Sequence, residues 1–177
     1  DKYGYDAGGF GNKTDELTGV KIFGKLDFNL NKNNKLTVRH QYTRAEQRNV
    51  NGSNDRTINF ENNGVFFPTT TNSSAIELST TIGNSASNNL VIGYTSVLDD
   101  RDPIGQDFPY MIIDDGEAQI RLGSEQFSTA NQLDQKIFTI TNNFKLYRGK
   151  HTLTFGTHNE FYDIYNLFVR QNFGVYE

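Results

Sequence analysis

Residues 21–42 read KIFGKLDFNLNKNNKLTVRHQY, two alternating runs on either side of an Asn-rich turn. Val20, Ile22, Gly24, Leu26, Phe28 and Leu30 fall on one side of the first run. Lys21, Lys25, Asp27 and Asn29 fall on the other, with Phe23 among them. Beyond the turn, Leu36, Val38, His40 and Tyr42 alternate with Lys35, Thr37, Arg39 and Gln41. A period of two is that of a β-strand with one apolar and one polar face. The apolar face must meet either the core of a soluble sandwich or the acyl chains of a bilayer.

The pattern repeats outward along the chain. In residues 75–82 and 89–97, Ile76, Leu78, Thr80 and Ile82 alternate with Glu77, Ser79 and Thr81, and Leu90, Ile92 and Tyr94 with Val91, Gly93 and Thr95. In residues 136–146 and 151–162, Phe138, Ile140, Phe144 and Leu146 oppose Thr139, Thr141, Asn143 and Lys145, and Leu153, Phe155 and Phe161 oppose Thr154, His158 and Glu160. No convincing helix is predicted, since short patches such as 128–135 lie between strand signals.

The links within pairs are short (31–34, 83–88 and 147–150), and rich in Asn, Gly and Ser, which suit tight turns. Those between pairs, 45–74 and 98–133, are long, where loops beyond about 15 residues are uncommon. Antiparallel strands then put every tight turn at one end and every long loop at the other, the asymmetry of outer-membrane barrels. The strand lengths suit a crossing of about 9–11 tilted residues. A soluble sandwich also alternates and wets one face, so the loop asymmetry decides for the barrel.

Composition sets outer bounds. The 177 residues carry a net charge of −4, without the basic excess that points to nucleic acid. With no cysteine there is neither a disulfide frame nor a thiolate zinc site. Mean hydropathy is −0.64 and no apolar run is long enough for a membrane helix. Neither fact argues against a barrel, in which only alternate strand residues face lipid. No export signal is read in the opening DKYGYDAGGF.

No catalytic constellation is predicted. Asp99, Asp100 and Asp102 form one acidic run and Asp114, Asp115 and Glu117 another; neither has EF-hand spacing, and both read as solvated loops. Asx-turn chemistry at 98–103 would end in Pro103. His151, His158 and Glu160 share one predicted strand, with His158 and Glu160 on one face; no third ligand is visible, so they read as polar wall residues rather than a metal pair. His40, on the apolar face, reads as an interfacial or packed side chain. The Gly-rich residues 4–11 lack the context of a phosphate loop. No nucleophile-elbow pattern is present. Asn-Lys-Thr at 12–14, Asn-Gly-Ser at 51–53 and Asn-Ser-Ser at 72–74 match glycosylation acceptors by chance in an Asn-rich chain. No cofactor or metal is expected.

The segments KYGYDAG, GKLDFNLNKNNKLTVRHQY, NNLVIGYTSVLDDRDPIGQDFP and NQLDQKIFTITNNFKLYRGKHTLTFGTHNEFY, in this order and spacing, resemble TonB-dependent outer-membrane receptors, closest to the Oar-like group, in which a carboxypeptidase-regulatory-like domain precedes the plug. The resemblance spans nearly the whole chain. It implies an all-β, antiparallel up-and-down meander: about six strands of a barrel that in this family has roughly 22 strands and a plugged lumen. Residues 1–177 would be a partial barrel domain without plug or TonB-box-like stretch, with long extracellular loops near 45–74, 98–133 and 164–177. The implied function is to bind and import a nutrient across the outer membrane of a Gram-negative bacterium. The implied partners are outer-membrane lipid, the remaining strands and plug, TonB through that plug, and an unidentified solute, with no nucleic acid. Lys25, Asp27, Arg39, Glu77, His158 and Glu160 are then expected to line the lumen, and Phe66, Phe67, Phe108 and Tyr110 to clamp a ligand or pack the loops together. The alternative is a soluble extracellular β-sandwich that binds carbohydrate or protein.

Overall fold

The computed structural model describes residues 4–11 and 15–177. Lys2 and Tyr3 of the first quoted segment, and the acceptor at 12–14, lie outside them. Six long strands run through the chain: β1 (Glu16–Asn29), β2 (Asn34–Val50), β4 (Gly64–Ile82), β5 (Ala86–Asp100), β9 (Gln132–Arg148) and β10 (His151–Leu167). They form one antiparallel meander in chain order, with the two-residue β6 (Asp102–Pro103) added beside β4. A smaller sheet, ordered β11–β7–β8–β3, combines β3 (Thr57–Asn59), β7 (Tyr110–Asp114), β8 (Gln119–Leu122) and β11 (Val175–Tyr176). The described residues contain no helix.

The tight turns follow from local chemistry. Asn31 Oδ1 accepts the Asn33 and Asn34 amides at 2.9 and 3.0 Å, closing the β1–β2 turn as an Asx turn. Gly83 and Gly149 take φ of +55° and +59° in the other two, where a Cβ is disfavoured. All three expected pairs form, and each adjoins the next. The strands run further toward the long-loop end than the apolar alternation suggests. β2 reaches Val50 and β4 begins at Gly64, so residues 51–63 connect them. β5 reaches Asp100 and β9 begins at Gln132. Apart from Val65, Phe66 and Phe67 at the start of β4, these extensions are mainly polar and lack the alternating apolar stripe, although their backbone ladder is unbroken.

Register fixes the faces. Directly paired residues point to the same side, and Leu26, Val38, Ile76, Ile92 and Ile140 form one continuous row across five strands. Ile22, Phe28, Leu36, Leu78, Leu153 and Phe155 join them on that face. Toward the long loops the apolar band gives way to charge: the outward Arg44–Glu46 pair (2.6 Å) and Lys136–Asp134 pair (3.2 Å) lie beyond Tyr42 and Phe138. Two polar interruptions within the band are paired across strands, His40 with Ser74 and Asn88 with Asn142, both at 2.9 Å. His40 thus packs by hydrogen bonding, which removes the penalty of an unpaired polar group in an apolar setting.

This apolar face covers nothing. Among the described residues only Ala86 and Tyr110 are buried apolar side chains. Leu26 is 63% exposed, Phe155 60% and Ile22 60%. No strand of the small sheet packs on a strand of the large one, so there is no two-layer core. The edge strands β1 and β10 have no partner on their outer sides among the described residues, and the meander is not closed.

Candidate functional site: the polar wall and its loop layer

The face opposite the apolar band is a polar wall. Asp27, Thr37, Glu77, Val91, Thr141 and His158 occupy one row across all six strands. Lys25, Arg39, Ala75, Gly93, Thr139 and Glu160 occupy the adjacent row. The six expected wall residues therefore share two neighbouring rows, with Lys25, Asp27 and Arg39 on β1–β2, Glu77 on β4, and His158 and Glu160 on β10.

At the first end Asp27 gathers Lys25 and Lys35, each 3.3 Å away, and accepts the Thr37 hydroxyl at 2.5 Å. Lys21 and Arg39 stand on the same wall without an ion-pair partner among the described residues, so cations outnumber anions on this face of the hairpin. Arg39 borders a concavity of about 470 Å³ together with Phe23, Lys25, Gln41, Ser73 and Thr95. Parity places Gln41 and Thr95 on the polar side of their strands but not among the expected site residues, and sequence reasoning does not single out Ser73; the register sets Gln41, Ser73 and Thr95 in one row next to that of Arg39. Glu77 accepts Asn89 Nδ2 at 2.7 Å.

At the other end the Thr141 hydroxyl meets His158 Nδ1 at 2.6 Å and His158 Nε2 meets Glu160 at 3.0 Å, while the Tyr162 hydroxyl donates to Glu160. The order hydroxyl–imidazole–carboxylate has the connectivity of a nucleophilic relay. Thr141, however, sits within β9, whose backbone is laddered to β5 on one side and β10 on the other. The network is one cross-strand contact, Thr141–His158, continued along β10 through Glu160 to Tyr162.

A layer of loops stands at the long-loop end. Phe108 stacks on Tyr5 with ring centroids 3.7 Å apart, and burial pushes the Tyr5 phenol up to about 12. Tyr110 is buried in β7. Arg101 lies over Phe67, 4.3 Å from the ring centre. Phe66 is half-buried in β4 opposite Asp102. Tyr110 borders a cleft with Arg121, and Phe67 borders a separate concavity with Arg101. The Gly-rich segment is tied down across this layer: Glu61 N donates to Gly9 O at 2.8 Å, and Phe10 pairs with Phe60.

The first acidic run is not a solvated loop: Asp99 and Asp100 end β5 and Asp102 lies in β6, with Asp99 3.7 Å from Arg101. The second run caps a turn. Asp114 Oδ1 accepts the Gly116 amide at 2.8 Å, and Asp115 Oδ1 accepts the Glu117 and Ala118 amides at 3.1 and 2.7 Å. No group of three or more His, Cys, Asp or Glu side chains is placed to hold a metal among the described residues. Hydrogen bonds from the Gln119 side chain and the Gly116 amide hold Asp114 below the usual carboxylate range. Those from the Ala118 and Glu117 amides do the same for Asp115. A carboxyl lowered in the folded state stabilises the fold above its unfolded pKa, and that contribution is lost as pH falls through the folded value. The β7–β8 turn is thus expected to loosen in acid. Asp115→Ala is expected to lower hydrogen-exchange protection at the Glu117 and Ala118 amides already at neutral pH; unchanged protection would contradict this.

Comparison with known proteins gives no match, whether to a family model, a curated protein or a solved structure.

Proposed function

We propose that this chain is a segment of a transmembrane β-barrel of the TonB-dependent receptor type, binding a nutrient at the outer membrane of a Gram-negative bacterium and passing it through the lumen. The observation that carries the reading is the uncovered apolar face: a continuous band of large side chains, Leu26 to Ile140, in a chain with almost no apolar core. Exposed apolar surface on this scale needs a partner phase, and lipid fits a band of about ten residues per strand with polar borders. The opposite face, with Lys25, Asp27, Arg39, Glu77, His158 and Glu160 in two rows, fits a wet lumen. The open edges of β1 and β10 call for further strands. The plug, and TonB acting through it, would belong to other parts of the full-length protein. The chain's own role is wall and loop recognition, with no catalytic step.

The test is where lipid reaches. In the full-length protein reconstituted in bilayers, a lipid-borne quencher is expected to reach a fluorophore at position 26 and not one at position 27. If neither position is reached, the membrane reading is lost and a soluble binding domain replaces it.

A further inference from the structure

Between loop 51–63 and the small sheet lies a cleft of about 530 Å³, distinct from the wall concavity, lined by Asn51, Asn59, Asn63, Arg121, Glu125 and Phe127 among others. Asn59 and Asn63 are 7% and 1% exposed, so the cleft has a rigid polar floor. Its hydrogen bonding is one-sided. Asn51 Nδ2 donates to both the backbone oxygen and Oδ1 of Asn63, each at 2.7 Å, which uses the acceptors of Asn63. Asn63 Nδ2 and Arg121 Nε are buried and find no acceptor among the described residues. Arg121 Nη2 donates to the neutral Gln119 at 2.9 Å, and no carboxylate lies within ion-pair distance of Arg121 among the described residues.

The one carboxylate of this lining is already engaged. Glu125 accepts the Phe127 amide at 3.0 Å with both oxygens and the Ser128 amide at 2.7 Å. Phe127 is exposed and carries a second cation, Arg170, 5.0 Å from its ring centre. With Arg170 at the rim, two cations stand against the single carboxylate, and that carboxylate is turned to backbone amides of its own loop. A buried donor left unpaired is costly, and an ionised acceptor is its strongest partner.

We propose that this cleft binds an oxyanion, a carboxylate or phosphate group of a small solute, with Arg121 as its charged floor and Arg170 on Phe127 at its rim. The inference rests on the receptor reading for the side from which the solute arrives, whereas the binding itself does not need a membrane.

Calorimetry on the full-length protein tests it, with pyrophosphate and tricarballylate as probes and maltotriose as the neutral control. Saturable binding of at least one anion is expected, weakening as salt rises, with none of maltotriose. Loss of one charge-assisted contact in Arg121→Gln is expected to weaken binding at least about tenfold, and Arg170→Gln, an exposed change, to weaken it less. Lys32→Gln, in the β1–β2 turn at the opposite end, should change nothing. Absence of anion binding to the wild type, or equal affinity in wild type, Arg121→Gln and Arg170→Gln, overturns the proposal. So does a loss of retention on lipopolysaccharide vesicles in these variants with solute binding unchanged, because the cleft would then serve a lipid phosphate. Failure of the lipid-quencher test at position 26 leaves this result standing, so the two readings fail separately.

Discussion

Leu26→Arg is expected to abolish assembly of the full-length protein in membranes, while Asp27→Arg, one residue along, leaves it nearly intact. Leu26 heads the apolar row that continues through Val38, Ile76, Ile92 and Ile140, and its side chain is 63% exposed on the lipid-facing side of the proposed barrel. An Arg near the bilayer midplane costs about 2–4 kcal/mol, roughly thirtyfold or more in a folding equilibrium. Position 27 points the other way, into a wet surface that already holds Lys25 and Lys35. Replacing its carboxylate frees those two lysines and adds like charge, which water and salt screen. The folded fraction in lipid vesicles, read from heat-modifiable migration on gels, is the measurement. Equal loss in the two variants would remove the lipid-facing assignment of Leu26.

Gly123→Ala is expected to dismantle the loop layer and leave the six-stranded meander in place. Gly123 has φ of +92°, a conformation that an L side chain rarely adopts. A Cβ there would also collide with the Pro109 carbonyl, which is backbone and cannot step aside. The neighbourhood is tightly tied: Ser124 N donates to Phe108 O at 3.0 Å, and Gly123 N donates to Asn62 Oδ1 at 3.3 Å. Strained φ and a backbone clash together place the cost at about 3 kcal/mol or more. Limited proteolysis is expected to cut within residues 104–126 of the variant while the meander strands stay protected. Resistance equal to wild type would show that the layer does not depend on this close approach.

The meander was legible because each hairpin combines a period-two stripe with a turn whose residues have a local job, as Asn31 and Gly149 do. The six wall residues were legible for the same reason, since parity alone decides their face once pairing is known. The upper halves of the long strands were not, because segments such as Arg44–Glu46 are held by ladder bonds to neighbours and carry no apolar signal. The small sheet was beyond reach. β3 and β11 are three and two residues long, and their partners come from other loops. Arg121 and Asn63 were missed with it, since only tertiary placement brings them to one cleft.

The small sheet joins β3 to β8 and β11 to β7 in parallel. Tight turns cannot make such pairs, so their closure spans long stretches of chain, as in the Asn62–Gly123 contact between residues 61 apart. Contacts of that separation form late, because the entropy of closing the intervening chain must be met before they contribute. The hairpins should therefore zip first and the loop layer last, only after β10 has brought Val175 alongside Tyr110. A molecule stalled before that step would have a finished meander and an unfinished loop layer, so on the proposed receptor reading competence to recognise a solute would appear last and on a slower clock.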